Sequence, residues 1–285
     1  MPSRFAQRMY VDSHCHLSFP ALRERLPEIR RAMADAQVDR ALCICTRLEE
    51  FEDVHALATG HDNFWCSVGV HPDSDDVREP DVASLLALAA LPRVVAIGET
   101  GLDYCRLEGR SIADMQWQRD RFRVHIHAAR ASGLPLIVHT RSASADTLSI
   151  LHEEAAHQIG GVFHCFTETA AVARAALELG FYISFSGILT FKSARELQDI
   201  ARWVPLDRCL IETDSPYLAP VPYRGKVNNP SYVPFVARQL AELKGISVEE
   251  VAAATSSNFE TLFAHATAHP SAHPTATAQD VKKRL

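Results

Sequence analysis

Six residues of metal-ligand type close apolar runs spread along this chain: His14 and His16, Glu99, His139, His164 and Asp214. Each run leads straight into its ligand, as in Val94-Val95-Ala96-Ile97-Gly98-Glu99, Leu136-Ile137-Val138-His139 and Cys209-Leu210-Ile211-Glu212-Thr213-Asp214. Nitrogen and oxygen donors carried at the ends of several different strands are what a catalytic metal centre needs. His14 and His16 are the sharpest local signal. Side chains alternate along a strand, so two imidazoles separated by one residue share a face, while Cys15 points the other way. Asp12 precedes the pair, either as a carboxylate that orients an imidazole or as a satisfied polar group in the barrel mouth.

Glu99 lies between Gly98 and Gly101, which allow tight backbone geometry around an acid able to bridge two ions. A lone histidine at a strand end is more often a hydrogen-bonded core residue than a ligand. His139 and His164 at matching strand ends, added to the earlier pair, reverse that reading. Asp214 is placed to serve both as ligand and as general base for an attacking water. Four neutral imidazoles and two carboxylates carry about −2, so two divalent cations would leave about +2, which attracts a phosphate. The mixed donors suit Zn, Mn, Fe or Ni and do not exclude Mg. His71, in Gly69-Val70-His71-Pro72, either hydrogen-bonds a phosphate or caps a turn. Arg224 and Lys226 flank Gly225 in a long proline-rich loop and read as an anion contact or a solvated basic turn; Arg141 is a weaker candidate.

The elements that must position these residues follow a repeating grammar. Strands are expected at 9–16, 40–46, 64–70, 93–98, 135–139, 161–166, 181–186 and 208–213. Amphipathic helices are expected at 21–36, 50–59, 81–90, 113–132, 144–158, 170–179, 193–202 and 231–244. Alternating strands and helices imply parallel pairing through right-handed crossovers. Eight units over about 250 residues is the size of a (β/α)8 TIM-type barrel with its site at the C-terminal ends of the strands. An open doubly wound sheet is the alternative, but it would hold ligands on strands one, four, five, six and eight too far apart to share one site. A last helix is expected at 247–263, opened by a Ser247/Glu250 capping box. Residues 1–8 read as a flexible N-terminus, 9–264 as the barrel domain, and the Ala/His/Pro-rich stretch 265–285 as disordered.

The 285 residues, 47% hydrophobic and 22% charged, have the composition of a soluble enzyme. A net charge of −6 excludes a broad basic surface that grips nucleic acid by charge alone. Seven cysteines, no signal peptide and no membrane-length apolar run imply reduced thiols, a cytoplasmic location and no membrane association. The remaining histidines, among them His125, read as surface or packing residues. No glycine-rich phosphate loop supports a nucleotide cofactor.

Taken together, Val11-Asp12-Ser13-His14-Cys15-His16, Gly69-Val70-His71-Pro72, Gly98-Glu99-Thr100-Gly101-Leu102-Asp103-Tyr104, Ile137-Val138-His139-Thr140-Arg141, His164-Cys165-Phe166, Glu212-Thr213-Asp214-Ser215-Pro216 and Arg224-Gly225-Lys226 closely resemble the TatD family of metal-dependent hydrolases. The resemblance covers the chain from about residue 9 to 263. It implies a barrel with two divalent cations (Mg, Mn or Zn). His14, His16, Glu99 and Asp214 would hold one; Glu99, His139 and His164 would hold the other, with Glu99 bridging. Asp214 and Glu99 are the implied catalytic residues, and His71, Asp103 and Arg224 the implied substrate contacts. The implied activity is that of a deoxyribonuclease, 3′-5′ exonuclease-like, with DNA ends or single strands as partner and no obligate protein partner. A hydrolase of another ester or amide, such as an aminoacyl ester, is the alternative on the same site. One departure stands near the site: Asn228-Asn229-Pro230 replaces the Asn-Glu-Pro of many relatives, so a loop carboxylate is missing.

Overall fold

The structure, a computed structural model, describes residues 10–264. The expectations for residues 1–8 and for the tail 265–285 lie outside the described residues. Eight strands pair in parallel in the order β1 to β8. They are β1 (Tyr10–Cys15), β2 (Val38–Cys43), β3 (Phe64–Val68), β4 (Val94–Asp103), β5 (Leu136–Arg141), β6 (Gly161–Phe163), β7 (Tyr182–Phe185) and β8 (Cys209–Ile211). The helices are α1 (Pro20–Arg23), α2 (Leu26–Asp35), α3 (Phe51–Gly60), α4 (Val82–Ala89), α5 (Gln116–Ser132), α6 (Ser144–Glu153), α7 (Ala170–Glu178), α8 (Arg195–Trp203), α9 (Val233–Lys244) and α10 (Val248–Leu262).

Closure of the barrel falls to the residues just past β8. The Asp214 N–H donates to the His14 carbonyl at 3.0 Å, and the His16 N–H to the Ser215 carbonyl at 2.8 Å. The buried Asp12 carboxylate adds a side-chain clasp, accepting the Thr213 N–H at 2.9 Å and the Thr213 hydroxyl at 2.5 Å. Asp12 therefore ties the first strand to the last and touches no imidazole. It is the satisfied polar group of the two readings above. Burial pushes its pKa up to about 8, against hydrogen bonds from Thr213 and His14 that favour its ionised form.

Every strand contributes to the barrel interior: Val11, Leu42, Trp65, Val95, Ala96, Ile137, Val162, Tyr182 and Leu210 form a separate buried cluster with Ile44, Phe259 and Phe263. Phe259, on α10, packs edge-on against Trp65 with ring centroids 6.3 Å apart and plugs the barrel floor. Period-two alternation places His139, His164 and Glu212 one step above Ile137, Val162 and Leu210 on the same inner face. The capping box of α10 forms as its sequence implies: the Glu250 N–H donates to Ser247 Oγ and Glu250 Oε2 accepts the Ser247 N–H.

Three elements depart most from expectation. The first helix is broken into α1 and α2, because Pro27 in the first turn of α2 cannot donate and its ring would meet the Arg23 carbonyl. The helix expected to reach 158 ends at Glu153, where Ala155 adopts a left-handed conformation with φ 52°. β4 continues past Glu99 to Asp103. Its register on β5 shifts between Ile97 and Thr100, and Gly98 (φ 146°) and Gly101 (φ 133°) let the two backbones approach. A Cβ on Gly101 would lie 1.9 Å from the His139 carbonyl oxygen.

Candidate metal centre

All six predicted ligands meet at one end of the barrel, around the carboxylate of Glu99. The residue is 2% exposed, and its two oxygens face different partners. Oε2 lies 3.3 Å from His14 Nε2 and 4.0 Å from His16 Nε2. Oε1 lies 2.8 Å from His164 Nε2, 3.2 Å from His139 Nδ1 and 3.3 Å from His71 Nε2. Asp214 completes the first group, with Oδ1 at 3.3 Å from His16 Nε2 and 3.6 Å from His14 Nε2. It holds a left-handed backbone conformation, φ 54°, just past the end of β8. A non-glycine residue is kept there only when its surroundings demand it, and such positions concentrate at functional sites.

Carboxylates outside this cluster fix the imidazole protons. Asp103 Oδ2 is 3.0 Å from His139 Nε2, and Glu212 Oε1 is 3.3 Å from His164 Nδ1. Each carboxylate keeps the ring proton on its own side, which turns the other ring nitrogen's lone pair inward. With each ring neutral in that tautomer, His139 Nδ1 and His164 Nε2, 3.4 Å apart, both turn a lone pair toward the anionic Glu99 Oε1. Positive charge between them, from a cation or otherwise from a second ring proton, makes that arrangement favourable. His71 differs: its Nδ1 accepts the Asp73 N–H at 3.0 Å, so its proton sits on Nε2 and it approaches Glu99 as a donor. Glu212 is itself anchored by the Ser184 hydroxyl at 2.5 Å.

The electrostatics express the same demand. Burial opposes charge on Glu99, but the imidazoles of His164, His71 and His14 hold its pKa well below the usual carboxylate range. Burial also opposes charge on His164, yet Glu99 and Glu212 outweigh it and raise its pKa well above that of a free histidine. His139 is raised against burial by Asp103 and Glu99. His14 is pushed the other way, by burial first and by His164 next. Its ring stacks on His164 with centroids 3.9 Å apart, and its Nδ1 and Nε2 are buried with no hydrogen-bond partner. An orphaned imidazole Nε2 aimed at the carboxylates of Glu99 and Asp214 fits a divalent cation well. Ligating atoms come within 4.8 Å of one another in three groups: His14/His164/Asp214, His14/His16/Glu99 and His71/Glu99/His139.

The cluster is the floor of a cavity of about 810 Å³. Arg47, Arg106 and Arg141 line its walls, as do Phe19 and Tyr217. Asp103 faces His139 rather than this cavity, and Arg224 lies outside its lining with the guanidinium 3.8 Å above the Phe191 ring. Asn228 and Asn229, at the departure from the usual motif, have structural partners. Asn228 Nδ2 donates to the Thr213 carbonyl at 2.8 Å, and Asn229 accepts the Ser231 N–H at 3.1 Å. Sequence reasoning missed Glu212 and the arginines 47 and 106. Glu212 sits two residues before Asp214 at the end of a strand, which was a usable signal; the two arginines lie in loops with no pattern to mark them.

Comparison with known proteins agrees with this geometry. The family described as TatD related DNase matches residues 11–264. The chain belongs to the TatD family of metal-dependent hydrolases. It is 48% identical over 257 residues to the uncharacterized metal-dependent hydrolase YcfH of Escherichia coli K12, covering 89% of this chain and 95% of YcfH. It is 35% identical over 241 residues to the 3′-5′ ssDNA/RNA exonuclease TatD of Citrobacter rodentium, covering 82% of this chain and 90% of that protein. The crystal structure of YjjV, a TatD homologue from Escherichia coli K12, superposes with a TM-score of 0.81 at 26% identity, covering 90% of this chain and 98% of YjjV. The barrel and the metal dependence of this TatD-family hydrolase are thus in accord with the reading of its sequence. Among the described residues, no helix is long and apolar enough to cross a membrane.

Proposed function

We propose that this TatD-family protein is a divalent-metal-dependent phosphodiesterase that removes nucleotides from the ends of single-stranded DNA or RNA. One observation carries the reading: a buried carboxylate shared between two groups of imidazoles lies beneath a cavity bearing the arginines 47, 106 and 141. His14, His16, Asp214 and Glu99 Oε2 would hold one cation. His139, His164 and Glu99 Oε1 would hold the second. Such cations, when bound, polarise a phosphoryl oxygen and make water acidic enough to attack at neutral pH.

The protein's own groups do the rest. Burial opposes charge on Asp214, but His16, His14 and His164 keep its pKa low, so its carboxylate is ionised at neutral pH and accepts a proton from the attacking water. His71 Nε2–H and the arginines orient the phosphate. Asp103 holds the His139 ring. Arg224 meets nucleotides beyond the cavity. The Citrobacter relative's named activity supports this substrate.

The test is a panel of end-labelled single-stranded DNA, RNA and an aminoacyl ester with Mg²⁺, Mn²⁺ or Zn²⁺, using Asp214→Asn as control. Stepwise shortening of the nucleic acid by the wild type, lost in Asp214→Asn, is expected. Turnover of the ester with nucleic acid left intact would overturn the phosphodiesterase reading in favour of the ester alternative.

A further inference from the structure

The cavity has two chemically different walls, and barrel order places them opposite each other. Phe19 follows β1 and Tyr217 follows β8, neighbouring strands at the barrel's seam. Arg106 follows β4 and Arg141 ends β5, on the far side of the ring, and Arg47 follows β2. Phe19 stacks on His16 at a centroid distance of 4.7 Å, only 20° from parallel. Tyr217 meets Phe19 edge-on at 6.4 Å and 76°, and is 56% exposed. A tyrosine that exposed, braced on a half-buried phenylalanine, presents a fixed apolar corner beside the metal cluster. Among the described residues, the side chains of Arg47, Arg106 and Arg141 make no hydrogen bond or ion pair within the protein.

From this division we infer that Phe19 and Tyr217 form a stacking corner for the terminal nucleobase of the substrate. The phosphate behind that base would then run across the floor toward Arg106 and Arg141. The inference rests on the nucleic-acid reading above and adds to it how the end of a strand is recognised. Aromatic faces accept any base, because every base offers a π surface, so the corner selects for a base at the end rather than for sequence. A flat corner on one side and cations on the other orient the strand by chemistry alone. The scissile linkage comes to rest between them, above Glu99.

Two measurements test the corner. The first is turnover, with Mg²⁺ or Mn²⁺, of oligonucleotides ending in a normal or an abasic nucleotide. Base stacking corresponds to about fivefold or more in affinity per base. Tyr217→Ala should therefore raise KM for the base-bearing end by about fivefold or more, leave the abasic end unchanged, and be rescued by Tyr217→Trp. Equal KM values for wild type and Tyr217→Ala on the base-bearing end would overturn the corner while leaving the nuclease reading intact. No cleavage of either oligonucleotide by the wild type would overturn both.

The second measurement needs no turnover. Chelator-treated protein is titrated with oligonucleotides carrying 2-aminopurine at the 3′ end, at the 5′ end or internally. Quenching at one end, reduced in Tyr217→Ala and in Phe19→Leu, is expected. Equal quenching at all three positions, or none at any, would overturn the corner. Because Phe19 also packs on His16, Tyr217→Ala is the decisive variant and Phe19→Leu the supporting one.

Discussion

At the scale of single residues, cation binding at the centre depends on keeping the His139 and His164 nitrogens that face Glu99 free of protons. Asp103 does this for His139 across 3.0 Å, and Glu212 for His164 across 3.3 Å. Partners of this kind are worth about 10- to 100-fold in metal affinity. Asp103→Ala is expected to weaken divalent-cation binding by about that factor, read by calorimetry or chelator competition, with the fold unchanged by circular dichroism. Unchanged affinity would mean that packing alone orients His139. Glu99→Gln tests the shared carboxylate itself. It keeps the volume but removes the charge that faces both imidazole groups, and one amide end can only donate. Stoichiometric cation binding should fall at both positions together, and hydrolytic activity should drop below detection. Loss of a single bound ion would show instead that the two groups are independent. The same residues show where sequence reading stopped. Six strand-end ligands announce themselves by type and position, whereas Asp103 shows its contact with His139 only once β4 and β5 are in register.

At the scale of elements, α5 does more than cover the sheet. His125 on α5 is fully buried; its Nε2 accepts the Val70 N–H at 3.0 Å and its Nδ1 donates to the Arg121 carbonyl at 2.8 Å. Arg121, one turn earlier, donates to the His71 and Ser74 carbonyls and pairs with Glu79. This strut fixes the loop that carries His71 toward Glu99. Burial pushes the His125 pKa down to about 4. The neutral ring is therefore favoured in the folded state, and the unfolded chain takes up the proton first. The His125 contribution to stability is full above about pH 6.5 and is lost progressively as pH falls toward about 4. The total is on the order of 3 kcal/mol. In chelator, His125→Gln should lose stability at neutral pH yet show a shallower fall between pH 6.5 and 4.5, measured by urea denaturation. Parallel curves for the two proteins would show that His125 does not titrate differently on folding.

Element placement was the most legible layer of this sequence, because eight apolar runs and their intervening amphipathic stretches obey two distinct periods. The exceptions have local causes. Pro27 divides the first helix, and two glycines carry β4 four residues beyond Glu99. His125 read as a packing histidine and is one, but its role in holding the His71 loop depends on contacts between residues 55 apart in the chain.

For the whole molecule, charge sets how a polyanion would be received. The net charge of −6 repels a nucleic acid at long range, so attraction must be local. The arginines at 47, 106 and 141 concentrate it at the cavity mouth. Each single-strand phosphate neutralised contributes about −0.7 to the slope of log affinity against log salt. Three contacts predict a slope of about −2 for an oligonucleotide too short to reach Arg224, well below that of a protein with an extended basic face. The triple variant Arg47→Gln, Arg106→Gln, Arg141→Gln should bring the slope near zero and weaken binding most at low salt. Arg130→Gln removes the same charge at the C-terminal end of α5, at the opposite end of the barrel, where the side chain donates to the Glu154 carbonyl. It should leave the slope as it was. Fluorescence anisotropy in chelator, from about 50 to 200 mM salt, separates the outcomes. A slope that survives the triple variant would place the phosphate path outside the cavity, and the loop carrying Arg224 and Lys226 would be the next surface to neutralise.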